Sequence, residues 1–197
     1  MTRNLPKGWP RDITFLNVPI YSPALTEDVK RLLHDPVSDV VIQTNPPSPC
    51  PQVTIRPITL ASHPACHQSG LFASRNLPPS SLIIVYLGLV HGASDTDHSS
   101  SYDLGVDASL GIGIDAQKMG NEARFINDYR GIAERPNAEF KDVWVRLSNG
   151  TIERRIGVFV MSGKGREKGI RKGEEILVSY GKGFWKARSG QKHDEGD

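Results

Sequence analysis

The sequence predicts a mainly β protein whose N-terminal accessory segment carries one amphipathic helix, on three observations. Short runs rich in β-branched and aromatic residues recur between turn residues. Asn149-Gly150, the strongest short hairpin signal, separates two runs of alternating apolar and polar residues. Helical periodicity is confined to one stretch near the N-terminus.

In chain order, Ser22 and Pro23 supply an N-cap and a first helical position, and Leu25, Val29, Leu32 and Leu33 follow at i, i+4, i+7 and i+8. That spacing predicts a helix over 23–33 whose stripe packs on a core, presents substrate or mediates self-association as a homodimer. Pro36 closes it, and the run Asn45-Pro46-Pro47-Ser48-Pro49-Cys50-Pro51 is too rich in proline for a regular element. Residues 1–51 are therefore expected to form an accessory segment and linker, and 52–186 the main domain. Strands are predicted over 53–58, 82–89, 102–106, 112–116, 139–147, 152–160 and 174–179, with the Asn-Gly pair closing a hairpin between 140–147 and 151–160. Residues 187–197 carry no large apolar group and are expected to form a flexible tail.

A length of 197 residues suits one domain with a short extension. With 38% hydrophobic and 23% charged residues, 19 Gly and 14 Pro, the composition excludes collagen, coiled coil and a wholly disordered chain. No apolar run approaches the roughly 20 residues that span a bilayer, and the first ten residues lack the apolar stretch of a secretory signal, so a soluble intracellular protein without membrane contact is expected. Cys50 and Cys66 are too few for a disulfide scaffold or a cysteine zinc cluster and are expected as free thiols. His63-Pro64-Ala65-Cys66-His67 offers three ligand types without a fourth at suitable spacing, so no metal is expected. A formal charge of +2 is well short of a dedicated nucleic-acid binder. The cluster Lys164, Arg166, Lys168, Arg171 and Lys172 is either a solvated loop or a contact for DNA phosphates.

Three segments in fixed order carry the functional reading: Gly70-Leu71-Phe72-Ala73, Arg124-Phe125-Ile126-Asn127-Asp128, and Gly173-Glu174-Glu175-Ile176-Leu177-Val178-Ser179-Tyr180-Gly181 with Phe184-Trp185 beyond. Each alone is an ordinary turn, polar helix or edge strand. In this order, over about residues 52–186, they resemble the SET-domain protein lysine methyltransferases, most of all small fungal members that act on histone H3 and lack zinc-binding segments on either side of the domain.

The resemblance implies a fold of several small curved sheets closed by a pseudo-knot, and S-adenosylmethionine as methyl donor, with S-adenosylhomocysteine as product and no metal. It implies that the turn at Gly70, Leu71 and Phe72 holds the donor through its main chain, since glycine permits close backbone approach. Arg124, Phe125, Asn127 and Asp128 then form the second wall, the Asn127 amide holding the donor's amino-acid portion. Tyr180 is implied as the catalytic residue and a donor contact, and Tyr102, in a Tyr-x-x-x-x-Asp strand, as a second channel tyrosine. Tyr86 joins the substrate channel or serves structure alone. Phe184 and Trp185 cover the adenine, close the lysine channel or simply pack. Val178 stands where an aromatic residue commonly limits the number of methyl groups added, and Asp128-Tyr129 stands where the family usually has His-Ser.

The activity implied by the resemblance is methyl transfer to a protein lysine, with histone H3 or the nucleosome as substrate, in a nuclear chromatin regulator that also has access to the cytoplasm. Two alternatives stay open: a non-catalytic binding module of the same fold, and a methyltransferase acting on a ribosomal or other non-histone protein.

Overall fold

The longest regular element is the hairpin expected from the Asn-Gly pair. Ala138–Arg146 runs antiparallel to Ile152–Val160 in unbroken register from Ala138 opposite Val160 to Arg146 opposite Ile152. In this computed structural model, which describes residues 5–36, 40–147, 149–165 and 167–181, the hairpin is the centre of a four-stranded sheet. Leu82–Val85 adds antiparallel to its second strand and Ile42–Thr44 parallel to its first. A second four-stranded sheet is ordered Ile20–Tyr21, Leu89–His91, Ile112–Asp115, Asp103–Asp107. Three two-stranded sheets complete the described fold: Val53–Pro57 with Ser69–Ala73, Thr14–Phe15 with Met119–Gly120, and Asn127–Asp128 with Leu177–Val178. The chain is thus mainly β, in several small sheets, as expected, and no helix among the described residues is long and apolar enough to cross a membrane.

The run expected as a single strand over 82–89 divides in two, and the cause is one side chain. The Asn121 carboxamide accepts the Leu87 N–H at 3.2 Å and donates to the Val85 carbonyl at 2.8 Å, taking backbone partners that a continuing ladder would have used. The chain therefore leaves the first sheet after Val85 and enters the second at Leu89.

The first fifty residues are woven into these sheets, each of their three short strands pairing parallel with a later one. Their helix is shorter than the expected 23–33, covering Glu27–Leu32 with Thr26 as N-cap. Ser22 caps only a turn: its hydroxyl accepts the Ala24 N–H at 3.1 Å and its carbonyl the Leu25 N–H at 3.1 Å, and the helix itself starts after Thr26, whose hydroxyl accepts the Val29 N–H at 3.4 Å. Thr26 followed by Glu27 and Asp28 offers both a cap oxygen and the negative charge that a helix N-terminus favours. Leu25 and Leu33 are buried and Val29 packs partly against the same core, whereas Leu32, expected on the stripe, is 52% exposed. The stripe is therefore spent on the protein's own core. The Arg154 N–H donates to the Leu33 carbonyl at 2.7 Å, fixing the helix end to the central hairpin.

The main core gathers Leu71, Leu77, Ile83, Val158, Val160, Ile170 and Ile176. A smaller cluster of Leu16, Val85, Leu87, Val143 and Val145 lies beside it. Each such side chain contributes on the order of 1.5–3 kcal/mol on burial.

The segment 174–180 is laid between two others. On one edge the Ile176 N–H donates to the Leu71 carbonyl at 2.8 Å and the Ala73 N–H to the Glu174 carbonyl at 2.9 Å. On the other, Asn127 and Asp128 pair with Leu177 and Val178. Asn137 locks the arrangement: its Oδ1 accepts the Leu177 N–H and its Nδ2 donates to the Glu175 carbonyl, both at 2.8 Å. This is the knot-like closure implied by the resemblance, and it brings residues some fifty positions apart into one site.

Candidate active site

Two adjoining cavities open where the three motif segments meet. The first, of about 350 Å³, is lined by Gln68 and Ser69 from one segment, Arg124, Phe125, Asn127, Asp128 and Arg130 from the second, and Tyr180 from the third. The second, of about 310 Å³, is lined by Tyr86, Asp103, Leu104, Ile126 and Phe140. Ser101, Tyr102, Arg124 and Tyr180 belong to both, so these four form the shared wall.

A single turn of 3-10 helix, Glu122–Phe125, delivers Arg124 to that wall, and its residues are all buried. Arg124 is held by its own hydrogen bonds, Nε to the Ala116 carbonyl at 2.9 Å and Nη2 to the Gln117 carbonyl at 3.3 Å. Its guanidinium lies 4.3 Å from the centre of the Tyr102 ring, a cation over an aromatic face. A fixed positive charge therefore stands where the cavities meet.

The Tyr180 hydroxyl donates to the Ile126 carbonyl at 2.6 Å, which aims the ring along the shared wall. Tyr86 is a prop for that wall. Its hydroxyl donates to the Tyr102 carbonyl at 2.8 Å, its ring stands edge-on to Phe140 at 5.9 Å, and burial pushes its pKa far above the usual tyrosine range.

Asp128, which stands where the resembled pattern has a histidine, is a brace. Its carboxylate is buried and accepts the Tyr180 N–H at 2.7 Å, the Arg130 N–H at 2.8 Å and an Arg130 guanidinium N–H at 2.9 Å. The carboxylate thus holds the chain on which Tyr180 sits.

Other expectations need correction. Gly70, Leu71 and Phe72 do not form a turn beside the first cavity. They lie within the strand Ser69–Ala73, Leu71 is fully buried, its carbonyl is taken by Ile176, and the cavity wall falls earlier, at Gln68 and Ser69. The absence of a side chain at Gly70 has a different use, since a Cβ there would sit 2.6 Å from Glu175 Oε1. Val178 lines neither cavity; it is fully buried in the main core. Phe184, Trp185, Arg166 and the expected tail over 187–197 lie outside the described residues.

Sequence reasoning missed His63, Glu175 and Arg130. His63 Nε2 lies 3.1 Å from Glu175 Oε2, and Asn127 Nδ2 donates to Glu175 Oε1 at 2.9 Å. The signal was the Glu174-Glu175 pair: neighbours on an extended chain point opposite ways, so one of the two had to face inward. His63, Cys66 and His67 do not converge, and among the described residues no three His, Cys, Asp or Glu side chains gather as a metal site.

A family profile described as the SET domain matches residues 68–181. Among solved structures, a crystal structure of the Chaetomium thermophilum polycomb repressive complex 2 aligns at 27% identity with a TM-score of 0.48, covering 66% of this chain and 15% of that one. The same complex in an autoinhibited conformation bound to S-adenosylmethionine aligns at 23% identity and a TM-score of 0.50, over 77% of this chain and 17% of that one. Its apo autoinhibited state gives 24% and 0.50, over 72% and 17%. This chain thus spans less than a fifth of the chains it aligns with. No curated protein sequence matches it.

Proposed function

The chain belongs to the SET-domain family, and from that premise we propose that it transfers a methyl group from S-adenosylmethionine to the Nζ of a protein lysine, with histone H3 as the leading substrate. The observation that carries this reading is the wall shared by two cavities, where Tyr102, Arg124 and Tyr180 stand between a space lined by Asn127 and Arg130 and one lined by Tyr86, Leu104 and Phe140.

The residues present suit the donor. About 350 Å³ lies within the usual range of small-molecule pockets. It presents the Asn127 carboxamide and the Arg130 guanidinium, polar groups of the two kinds that an amino acid's ammonium and carboxylate require. Gln68, Ser69, Asn127 and Arg130 would hold the donor, whose sulfonium supplies the methyl group.

The second cavity, flanked by Tyr86, Phe140 and Leu104, takes the lysine side chain. A free lysine is an ammonium at pH 7, and neutralising it costs roughly 4–5 kcal/mol. Desolvation between aromatic walls and the fixed charge of Arg124 both disfavour the ammonium, so both reduce that cost. The Tyr180 hydroxyl then orients the amine, and that gain is one of alignment. The exposed Lys164, Lys168, Arg171 and Lys172 suit contact with the phosphates of nucleosomal DNA, consistent with a nuclear role.

Intact-mass spectrometry of histones and nucleosomes incubated with the protein and S-adenosylmethionine tests the reading, with Tyr180→Phe as control. A gain of one or more methyl groups on H3, absent in the control, is expected. Methylation of other proteins in a cell extract, with none on histones, moves the substrate away from chromatin. Well-folded protein that fails to bind S-adenosylhomocysteine in calorimetry reverts the reading to a binding module.

A further inference from the structure

Behind the first cavity lies a buried polar chain, His63, Glu175 and Asn127, whose protons can be placed by elimination. The Ala65 N–H donates to His63 Nδ1 at 3.0 Å, so the ring proton sits on Nε2 and points at Glu175 Oε2, 3.1 Å away. Both side chains are nearly closed to solvent, at 6% and 10% exposure. A carboxylate only accepts, so the Asn127 group that meets Glu175 Oε1 at 2.9 Å is its NH2. The same nitrogen lies 3.4 Å from the Ser69 carbonyl, a second acceptor. Both N–H groups of the amide are thus engaged. Its Oδ1 has no partner among the described residues, and Asn127 lines the cavity.

We propose that Glu175, itself held by His63, is a positioning residue that fixes the Asn127 carboxamide with its oxygen toward the cavity, so that the site selects a ligand bearing an ammonium group. This rests on the proposed methyl-donor reading and adds which end of the amide meets the donor and what sets it. It also accounts for Gly70, because any larger residue there would displace the Glu175 carboxylate.

Glu175→Gln is nearly isosteric yet replaces an acceptor-only group with one that must present an NH2 to one neighbour. Facing His63 it meets the Nε2 proton, and that tautomer is held by Ala65. Facing Asn127 it drives that amide to turn over, presenting NH2 to the cavity and repelling an ammonium. Calorimetry of the full chain with S-adenosylhomocysteine, which carries the ammonium, and with 5′-methylthioadenosine, which lacks it, reads the difference. In Glu175→Gln the first affinity falls about 10- to 100-fold, the worth of a charged hydrogen bond, and the second stays within about twofold. His63→Ala moves the first affinity the same way by less, and His63→Gln, which can still donate to Glu175, restores it.

Parallel loss of both ligands in Glu175→Gln, or unchanged affinity for both, overturns the positioning role while leaving the donor reading intact. Should Glu175→Gln fail to fold, the His63 pair decides alone, and equal affinities in His63→Ala and His63→Gln overturn the proposal. Wild-type protein that binds neither ligand overturns the donor reading and this proposal together.

Discussion

Removing the Asp128 carboxylate tests whether a residue foreign to the family pattern took over the bracing of the site. In Asp128→Ala the Tyr180 and Arg130 amides lose acceptors at 2.7 and 2.8 Å, and the Arg130 guanidinium loses one at 2.9 Å. A hydrogen bond to a charged group contributes about 1.5–3 kcal/mol, and this weight falls on the half-buried Tyr180 amide. The Arg130 amide can turn to water. Its guanidinium, 37% exposed on the side chain, adds no more than about 1 kcal/mol. A total near 3 kcal/mol, at roughly 2–4 °C per kcal/mol for a chain of this size, lowers the Tm by about 6–12 °C. Asp128→Asn keeps an oxygen for the Tyr180 amide but turns its NH2 toward the Arg130 N–H, which faces water instead, so it loses the charge and that acceptor and its loss is about half. Thermal unfolding followed by near-ultraviolet circular dichroism measures both, and methyl transfer measured below the transition should show kcat falling more than donor affinity, because the anchor acts on Tyr180. A Tm within about 2 °C of wild type together with an undiminished kcat in Asp128→Ala would refute the bracing role.

Tyr180→Phe removes the donor to the Ile126 carbonyl, a stability loss of about 1 kcal/mol, but lowers turnover by orders of magnitude with S-adenosylhomocysteine affinity retained; an unaltered rate removes Tyr180 from the mechanism. At His91, burial opposes the charged ring, but the Gly92 carbonyl and the Asp103 carboxylate outweigh it and hold the pKa above the ordinary 6.5. A raised pKa means stability fully present below about pH 6.5 and lost as pH rises through the folded value. The Tm difference between wild type and Asp103→Asn should therefore be larger near pH 5.5 than near pH 9, and a difference that grows with pH would contradict it. Burial pushes the Cys50 thiol up to about 11, whereas Cys66 is partly exposed. Iodoacetamide at pH 8 should thus alkylate Cys66 and spare Cys50, as peptide mass mapping would reveal.

The features legible in the sequence were local ones. The hairpin around Asn149-Gly150 needs only its turn and its own alternation, and its strands appear within one residue of the expected bounds. The break after Val85 depends on Asn121, more than thirty positions away, and no periodicity within the run could announce it. The short strands of the first fifty residues, two or three residues each, exist because later strands offer edges for them to join. At the site, the resemblance placed Tyr102, Arg124, Asn127 and Tyr180 together, and the cavities include all four. Gly70 was singled out for a donor contact, whereas the structure gives it a neighbour, Glu175, that lies over a hundred residues away. Buried polar partners of that kind are chosen by tertiary proximity, and the sequence holds only their residue types.

The placement of segment 174–180 between two others makes local order and ligand occupancy one equilibrium. Ile176 and Leu177 carry the bonds that seat the segment, Glu175 holds Asn127 from behind the first cavity and Tyr180 lines it, so lifting the segment takes both groups from the site. A bound donor adds its free energy only to the seated form, by RT ln(1 + [L]/Kd), or about 2.7 kcal/mol at a hundredfold excess over Kd. The cellular supply of donor would then act as a clamp on the segment's dwell time, and slowing of amide exchange at Ile176, Leu177 and Tyr129 would be its signature.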